Sequence, residues 1–401
     1  MPNLTGANGH GVKNYPADDV LREALTKYVG RGLTRAEKLQ ALEKDMGLVI
    51  KRTKLNELEK RLSIPSVRKP PSFDVAEEAV LNEVTRGGPA GVEANGPRFI
   101  KTMLQTQGIL IPRDTVRKIM LTHFPNGFQA RFPGKKGTIT RNVLKSAGPW
   151  REISGDGHEK LGALALRMDC RSSAALGHLY LDFIEAFGAT TVQLTTDMGA
   201  EIGWMHAIQA ALRAEYAPSL DPEVHPEHVL LKSIHNTVIE ALWPHLKKKT
   251  GLGIKEIVLQ GQQQHIFSPN LAWHRDLFNW IFPPLVQHEL DGFRKYWNDH
   301  RIRHQDEKTM PSGHVPAHVF ENPTSTGDID CSIEIPIEGV AKLREILTEE
   351  VGPRSAHLDW VTPVFANLAS DVYAQIGSPH ITLDNAWEVF RSMSLVLDTL
   401  V

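Results

Sequence analysis

From Asp18 onward, apolar residues recur every three or four positions, the period of an amphipathic helix. Val20, Leu21, Ala24, Leu25 and Tyr28 share one face of a helix running to about Lys27, which Asp18 or Asp19 would cap and Gly30 and Gly32 would break. Thr34 followed by Glu37 has capping-box spacing and opens a second helix carrying Leu39, Leu42 and Met46, ended by Gly47. A third helix starts near Thr53 and carries Leu55, Leu58 and Leu62. Residues 63–72, SIPSVRKPPS, read as a Pro-rich linker. Further helices are predicted over 73–84, 97–107 and 113–123, and no internal repeat or low-complexity tract stands out.

At Trp150 the pattern changes. Residues 152–156, EISGD, read as a short strand ending at Asp156. A helix over 172–187 places Leu176, Leu179, Tyr180, Phe183, Ile184 and Phe187 on its apolar face. The β-branched run TTVQLTT, 190–196, lies between Gly188 and Gly199 and predicts a buried strand ending at Asp197. Helices are expected over 203–216 and 227–248. Strands alternating with helices indicate an α/β fold. Beyond Gly251 the chain reads as mostly helical, most clearly over 337–350 and 383–400. The expected organisation is a disordered 1–17, a helix-turn-helix-like region 18–66, a second helical and basic region 67–148, an α/β domain 149–320 and a helical 321–401.

Composition adds exclusions. With 401 residues, 41% hydrophobic and 23% charged, the chain can bury several cores without staples. Its two cysteines, Cys170 and Cys331, cannot build a disulfide framework or a Cys/His zinc module, which fits a reducing compartment. No apolar run approaches the ~20 residues that span a bilayer, and the polar N-terminus lacks the apolar segment of a secretory leader. A soluble, intracellular or nuclear protein without membrane partners is expected.

The net charge of −2 conceals an asymmetry. Residues 1–150 hold 25 Lys and Arg against 14 Asp and Glu, leaving 20 against 33 for the remainder. A basic front half can neutralise phosphates. Its third helix and surroundings carry Lys51, Arg52, Lys54, Lys60 and Arg61, followed by Arg68 and Lys69, with Arg117 and Lys118 on the helix at 113–123. Three short helices with a tight turn before the last fit a helix-turn-helix, whose recognition helix needs cations beside its base-reading face. They fit equally a small helical bundle with a solvated basic face.

Three acids stand at the right places for chemistry. Asp156 and Asp197 end strands, and Glu240 lies within a predicted helix. Carboxylates that converge suit hard divalent cations such as Mg²⁺ or Mn²⁺. Taken singly, each is an ordinary turn or surface residue. The words around them are more specific. GPWREISGDGHEKL, TTDMGAE, KSIHNTVIEALW and YWNDHRIRHQDEKTMPSGHVP resemble, in order, the successive signatures of integrase core domains in DDE transposase and retroviral integrase proteins of mobile elements, and the likeness covers residues 21–318. It implies an RNase H-like core in which Asp156, Asp197 and Glu240 bind two Mg²⁺ (or Mn²⁺) ions and support DNA strand cleavage and transfer. It also implies supporting roles for His158, Lys160, Lys232, His235 and Asn236, DNA partners (element ends and target), and a homo-oligomer.

One departure stands out. Only 40 residues separate Asp156 from Asp197, and LGALALRMDC (161–170) leaves room for one strand where the family places two. The core therefore reads as shortened at an edge strand. Three readings stay open: a Mg²⁺-dependent integrase-like enzyme, a catalytically inactive DNA-binding protein derived from a mobile element, and an α-rich scaffold with no nucleic-acid role.

Overall fold

The computed structural model describes residues 15–86, 92, 95–125, 127, 147–154, 172–197, 199–231, 242–305 and 312–399. The chain forms two compact units. A front unit gathers residues 1–84, 96–145 and 295–329; a sheet unit gathers 85–95, 146–294 and 330–401.

The front unit's helices are α1 (Asp18–Gly30), α2 (Arg35–Met46), α3 (Arg52–Arg61), α4 (Phe73–Thr85), α5 (Pro97–Thr106) and α6 (Arg113–His123). Leu21, Leu25, Tyr28, Leu42, Leu55 and Leu58 form one core, into which Val315 of the returning segment also inserts. The capping box forms as the spacing predicts: Thr34 accepts from the Glu37 N–H, and the Glu37 carboxylate accepts from the Thr34 N–H. The cap expected of Asp18 or Asp19 does not form. Ala17 holds the cap position without a side-chain bond, and both acids lie inside the first turn, where they face the helix dipole. Val20, expected on the apolar face, is exposed.

The helices reveal a repeat that the sequence reading missed. Moving α1 by 55 residues lays it on α4, so that Leu21, Leu25 and Tyr28 fall on Ala76, Val80 and Glu83, all buried. Moving α2 and α3 by 61 residues lays them on α5 and α6. Leu42, Ile50, Leu55 and Leu58 then fall on Met103, Ile111, Val116 and Ile119, again all buried. Gly47 and Gly108 coincide, and both turn the chain with left-handed backbone, at φ 61° and 85°. The front unit is thus two three-helix modules in tandem. Few identities survive, and the shift changes by six residues between α4 and α5, so no single offset exposes the repeat.

In the sheet unit, β1 (Glu152–Ser154), β3 (Gln193–Asp197) and β4 (His228–Leu231) form a parallel sheet in the order β1-β3-β4. Parallel neighbours require crossovers; α7 (Ser173–Phe187) precedes β3 and α8 (Gly203–Tyr216) joins β3 to β4. Strand β2 (Ala189–Thr190) pairs antiparallel with β5 (Ile333–Glu334). The run at 190–196 is therefore two strands, broken at Thr191 and Val192. The helix expected over 227–248 is corrected at its start. HVLL is an apolar run that pairs along the open edge of β3, so sheet pairing overrides helical propensity. The expectation of one shortened edge strand at 161–170 lies outside the described residues.

The core beneath the sheet joins Leu194 to Leu181, Ile184, Ile208, Leu212 and Val340. The last belongs to α11 (Ile337–Val351), which follows α9 (Leu252–Gln263) and the long α10 (Ala272–Asp299). On α7 Tyr180 and Ile184 are buried as expected, but the buried stripe also takes in Gly177, His178 and Leu181 while Phe187 is exposed, so the apolar face is rotated in part from the expected one. Gly177 is needed there, because a Cβ would come within 2.8 Å of the Trp204 Cβ. A second, aromatic core packs α9 and α10 on α12 (Pro363–Gln375) and α13 (Ala386–Leu397), centred on Phe282, Trp387 and Phe390.

Candidate carboxylate site at the strand ends

Side chains alternate across a strand. On β3, Leu194 enters the core, while Gln193, Thr195 and Asp197 share the other face. That face is polar. The Thr195 hydroxyl donates to Glu152 Oε1 at 2.6 Å, and Gln193 Nε2 donates to Thr195 Oγ1 at 3.0 Å. Asp197 ends this row, half-buried, at the C-terminal edge of the sheet and in register with Leu231. In a parallel sheet all strands end at the same edge, so β1 ends at Ser154, paired with Thr195, and β4 at Leu231, paired with Asp197.

The opposite face carries chemistry that the sequence reading did not single out. Thr196 Oγ1 lies 2.8 Å from His228 Nε2, and the rings of His206 and His228 sit 4.2 Å apart. Burial and the neighbouring His206 push the His228 imidazole down to about 4, so it is neutral at physiological pH; Glu227 opposes this only in part. The two-residue alternation of TTVQLTTD was the only available hint that one side of this strand is polar. Beyond β3 the Glu201 carboxylate folds back over Gly199, where an added Cβ would push it aside.

Beneath these strands lies a buried net. Tyr180 donates to Gln209 Oε1 at 2.7 Å and Thr190 to the same oxygen at 2.8 Å, while Gln209 Nε2 donates to the Thr191 carbonyl at 2.8 Å. Thr191 in turn donates to the Trp150 carbonyl at 2.8 Å. Burial drives the Tyr180 phenol up to about 12. Arg213 donates to the carbonyls of Val192 and His225. Together these bonds fix β3 against α7 and α8, and so fix where Asp197 emerges.

Of the predicted ligands, Asp197 is described. Asp156 and Glu240 lie outside the described residues, as do His158, Lys160, Lys232, His235 and Asn236. Among the described residues, no three His, Cys, Asp or Glu side chains gather so as to hold a metal ion. In the front unit, Lys51, Arg52, Lys54, Lys60, Arg61, Arg68, Lys69, Arg117 and Lys118 are all exposed. Lys54 is paired with Glu57 at 2.9 Å and Arg61 with Asp18 at 2.5 Å, whereas Lys118 lies 5.7 Å from the centre of the Phe73 ring.

The family model described as integrase core domain matches residues 161–322. The chain carries an integrase core domain. That domain belongs to the retroviral integrase and DDE superfamily, as the sequence resemblance implied. The matched stretch begins in the sheet unit and ends in the segment 295–329, which folds with the front unit. No curated protein and no solved structure matches the chain. Among the described residues no helix is long and apolar enough to cross a membrane.

Proposed function

We propose that this integrase-core protein is a polynucleotidyl transferase that cleaves and joins DNA strands through Asp156, Asp197 and Glu240, on an RNase H-like core. The observation that carries this reading is a register. Strand β1 pairs with β3 at a constant offset, 152 with 193 and 154 with 195. That offset of 41 is also the spacing of Asp156 and Asp197 in the sequence. Adjacent strands lie about 4.8 Å apart, a span that one or two shared cations bridge. An all-carboxylate donor set fits a hard divalent cation, so Asp156, Asp197 and Glu240 are the residues that would hold Mg²⁺ or Mn²⁺. When bound, such ions supply electrostatic stabilisation at phosphorus. The protein's own part is positioning: the polar row Glu152–Thr195–Gln193 and the Gln209 net hold the strand that presents Asp197.

On this reading the substrates are element ends and target DNA, the acting form is a homo-oligomer, and the place of action is nuclear or otherwise intracellular. The basic face of α3, with Lys51, Arg52 and Lys60, holds DNA phosphates in the manner of a helix-turn-helix. One observation favours the inactive alternative: the family match opens at residue 161, five residues beyond Asp156. The test is cleavage and joining of end-like DNA by the full chain with Mg²⁺ or Mn²⁺. Activity that Asp197→Asn abolishes, with folding unchanged, is the expected result. Equal behaviour of wild type and Asp197→Asn, with DNA binding intact, would establish the non-catalytic protein instead.

A further inference from the structure

The sequence already marks Arg117 and Lys118 on α6 as basic, and the tandem repeat sets them beside their counterparts on α3. At the shift of 61 residues, Arg52 falls on Arg113, Asn56 on Arg117 and Glu57 on Lys118, and all six side chains are exposed. The two modules therefore present the same helix, entered through the same left-handed glycine turn, with the same row facing solvent. Where the first module carries Asn56 and an acid, the second carries two cations. The stretch around α6 is also the most one-sided of the chain: residues 101–150 hold nine Lys and Arg against a single acid, Asp114. That acid stands 4.0 Å from Arg113, with both side chains largely in solvent, too weak a pair to withdraw Arg113 from a phosphate.

We infer that α6 is a second duplex-DNA contact, so that the front unit grips DNA through two equivalent helices in tandem, α3 and α6, with α6 acting chiefly on phosphates. This rests on the proposal that the front unit binds DNA. A duplex suits the pair, since cations on two successive helices match a backbone of regularly spaced phosphates. Arg117 and Lys118 stand where the first module has an amide, Asn56, and an acid, Glu57, which gives the second helix more charge for phosphates.

The full chain is titrated with a long mixed-sequence DNA duplex at several salt concentrations. Three proteins are compared: wild type, Lys51, Arg52 and Lys60→Ala on α3, and Arg113, Arg117 and Lys118→Ala on α6. All six side chains are exposed, so helicity and the unfolding midpoint should be unchanged. Each triple variant is expected to bind more weakly and to flatten the plot of log affinity against log salt by up to about 3 in slope. The charge reversal Arg117→Glu serves as a second variant and should weaken binding more than Arg117→Ala does. If the α6 variants keep wild-type affinity and slope while the α3 variant loses both, the inference falls and the DNA-binding proposal stands. If wild type shows no salt-dependent affinity, both fall together.

Discussion

Partly buried ion pairs link the elements of the front unit, whereas the strands of the sheet unit are held by neutral hydrogen bonds, and its ion pairs, Arg344 and Arg354 on Asp182, run between helices. In the front unit, Arg301 grips Glu37 with both terminal nitrogens, at 3.0 and 2.6 Å, and Arg31 grips Glu321 at 2.5 and 2.8 Å beside Asp299. In the sheet unit, Tyr180, Thr190, Thr191 and Gln209 close a net without formal charge, and His228 is held neutral. The elements explain the difference. A helix satisfies its own backbone, so what remains to be matched between packed helices is side-chain charge. The short, interrupted strands leave carbonyls at Thr191 and Val192 that side chains answer, and Thr191 adds a second bond to the Trp150 carbonyl. Even Arg213, the charged member, is spent on carbonyls rather than on an acid.

The largest effect should come from breaking the neutral net. Gln209→Leu keeps the volume but strips the Thr191 carbonyl and one of the two hydroxyls, since Tyr180 and Thr190, 3.1 Å apart, can still bond each other. At roughly 1.5 kcal/mol for each of the two stranded buried groups, a loss of about 3 kcal/mol is expected. Urea unfolding of the full chain measures it. A loss well under 1 kcal/mol would mean that the strands are not held by this net.

The matching break in the front unit should cost less. Arg301→Leu leaves the Glu37 carboxylate, about 13% exposed, without its cation. A fully buried orphan charge would cost more, but here water reaches the group, and about 2 kcal/mol is expected. Adding Glu37→Gln should recover part of the loss, because the orphan charge is gone. Hydrogen exchange of α2 reads both variants. Full additivity of the two losses would show that Glu37 and Arg301 are not energetically coupled.

Acid should separate the two interiors by pH window. Burial alone would raise the Glu37 carboxyl, but the bonds from Arg301 and Thr34 outweigh it and hold it at about 2. Its ordinary value is near 4.5, so its contribution is complete above that pH and is lost as pH falls toward 2. His228 works in the other window. Burial and His206 lower it from 6.5 to about 4, so an unfolded chain takes up that proton first, and stability drains as pH falls from 6.5 to 4. Exchange around β3 and β4 should therefore quicken at a higher pH than exchange around α2. His228→Gln should remove the first window only, and the opposite order of loss would overturn the assignment.

What the sequence disclosed follows the range of the forces involved. Local signals were legible. The capping box at Thr34 and Glu37 forms as spaced, and the helix predicted over 203–216 is Gly203–Tyr216. The strand ending at Asp197 was likewise legible from β-branching and flanking glycines. Signals that depend on partners were not. HVLL became a strand only because β3 offers an open edge. The rotation of the buried stripe on α7 needs α8 and α11 on either side of it, with Gly177 between Trp204 and Leu347. The repeat was hidden because buried positions, rather than identities, carry it. At the candidate site the place of Asp197 at a strand end was legible, while His206 and His228, from separate elements, meet only in three dimensions.

The smallest effect sharpens the comparison most. Thr34 Oγ1 accepts from the Glu37 N–H at 3.3 Å on an exposed surface, a long bond, and the reciprocal bond to the Thr34 N–H survives truncation. Thr34→Ala should therefore cost about 0.5 kcal/mol, the low end for a cap. Glu37, however, serves two masters: its carboxylate closes the cap and anchors Arg301. With Arg301 present the carboxylate is held in place and the cap is half-built without the hydroxyl. In the Arg301→Leu background it swings freely, so the same Thr34→Ala change should cost more, by a few tenths of a kcal/mol. Urea unfolding of the four proteins of that double-mutant cycle measures the coupling. A coupling of zero would mean that capping and charge pairing act independently, and that the front unit's charges do not organise its helices beyond the pairs they form.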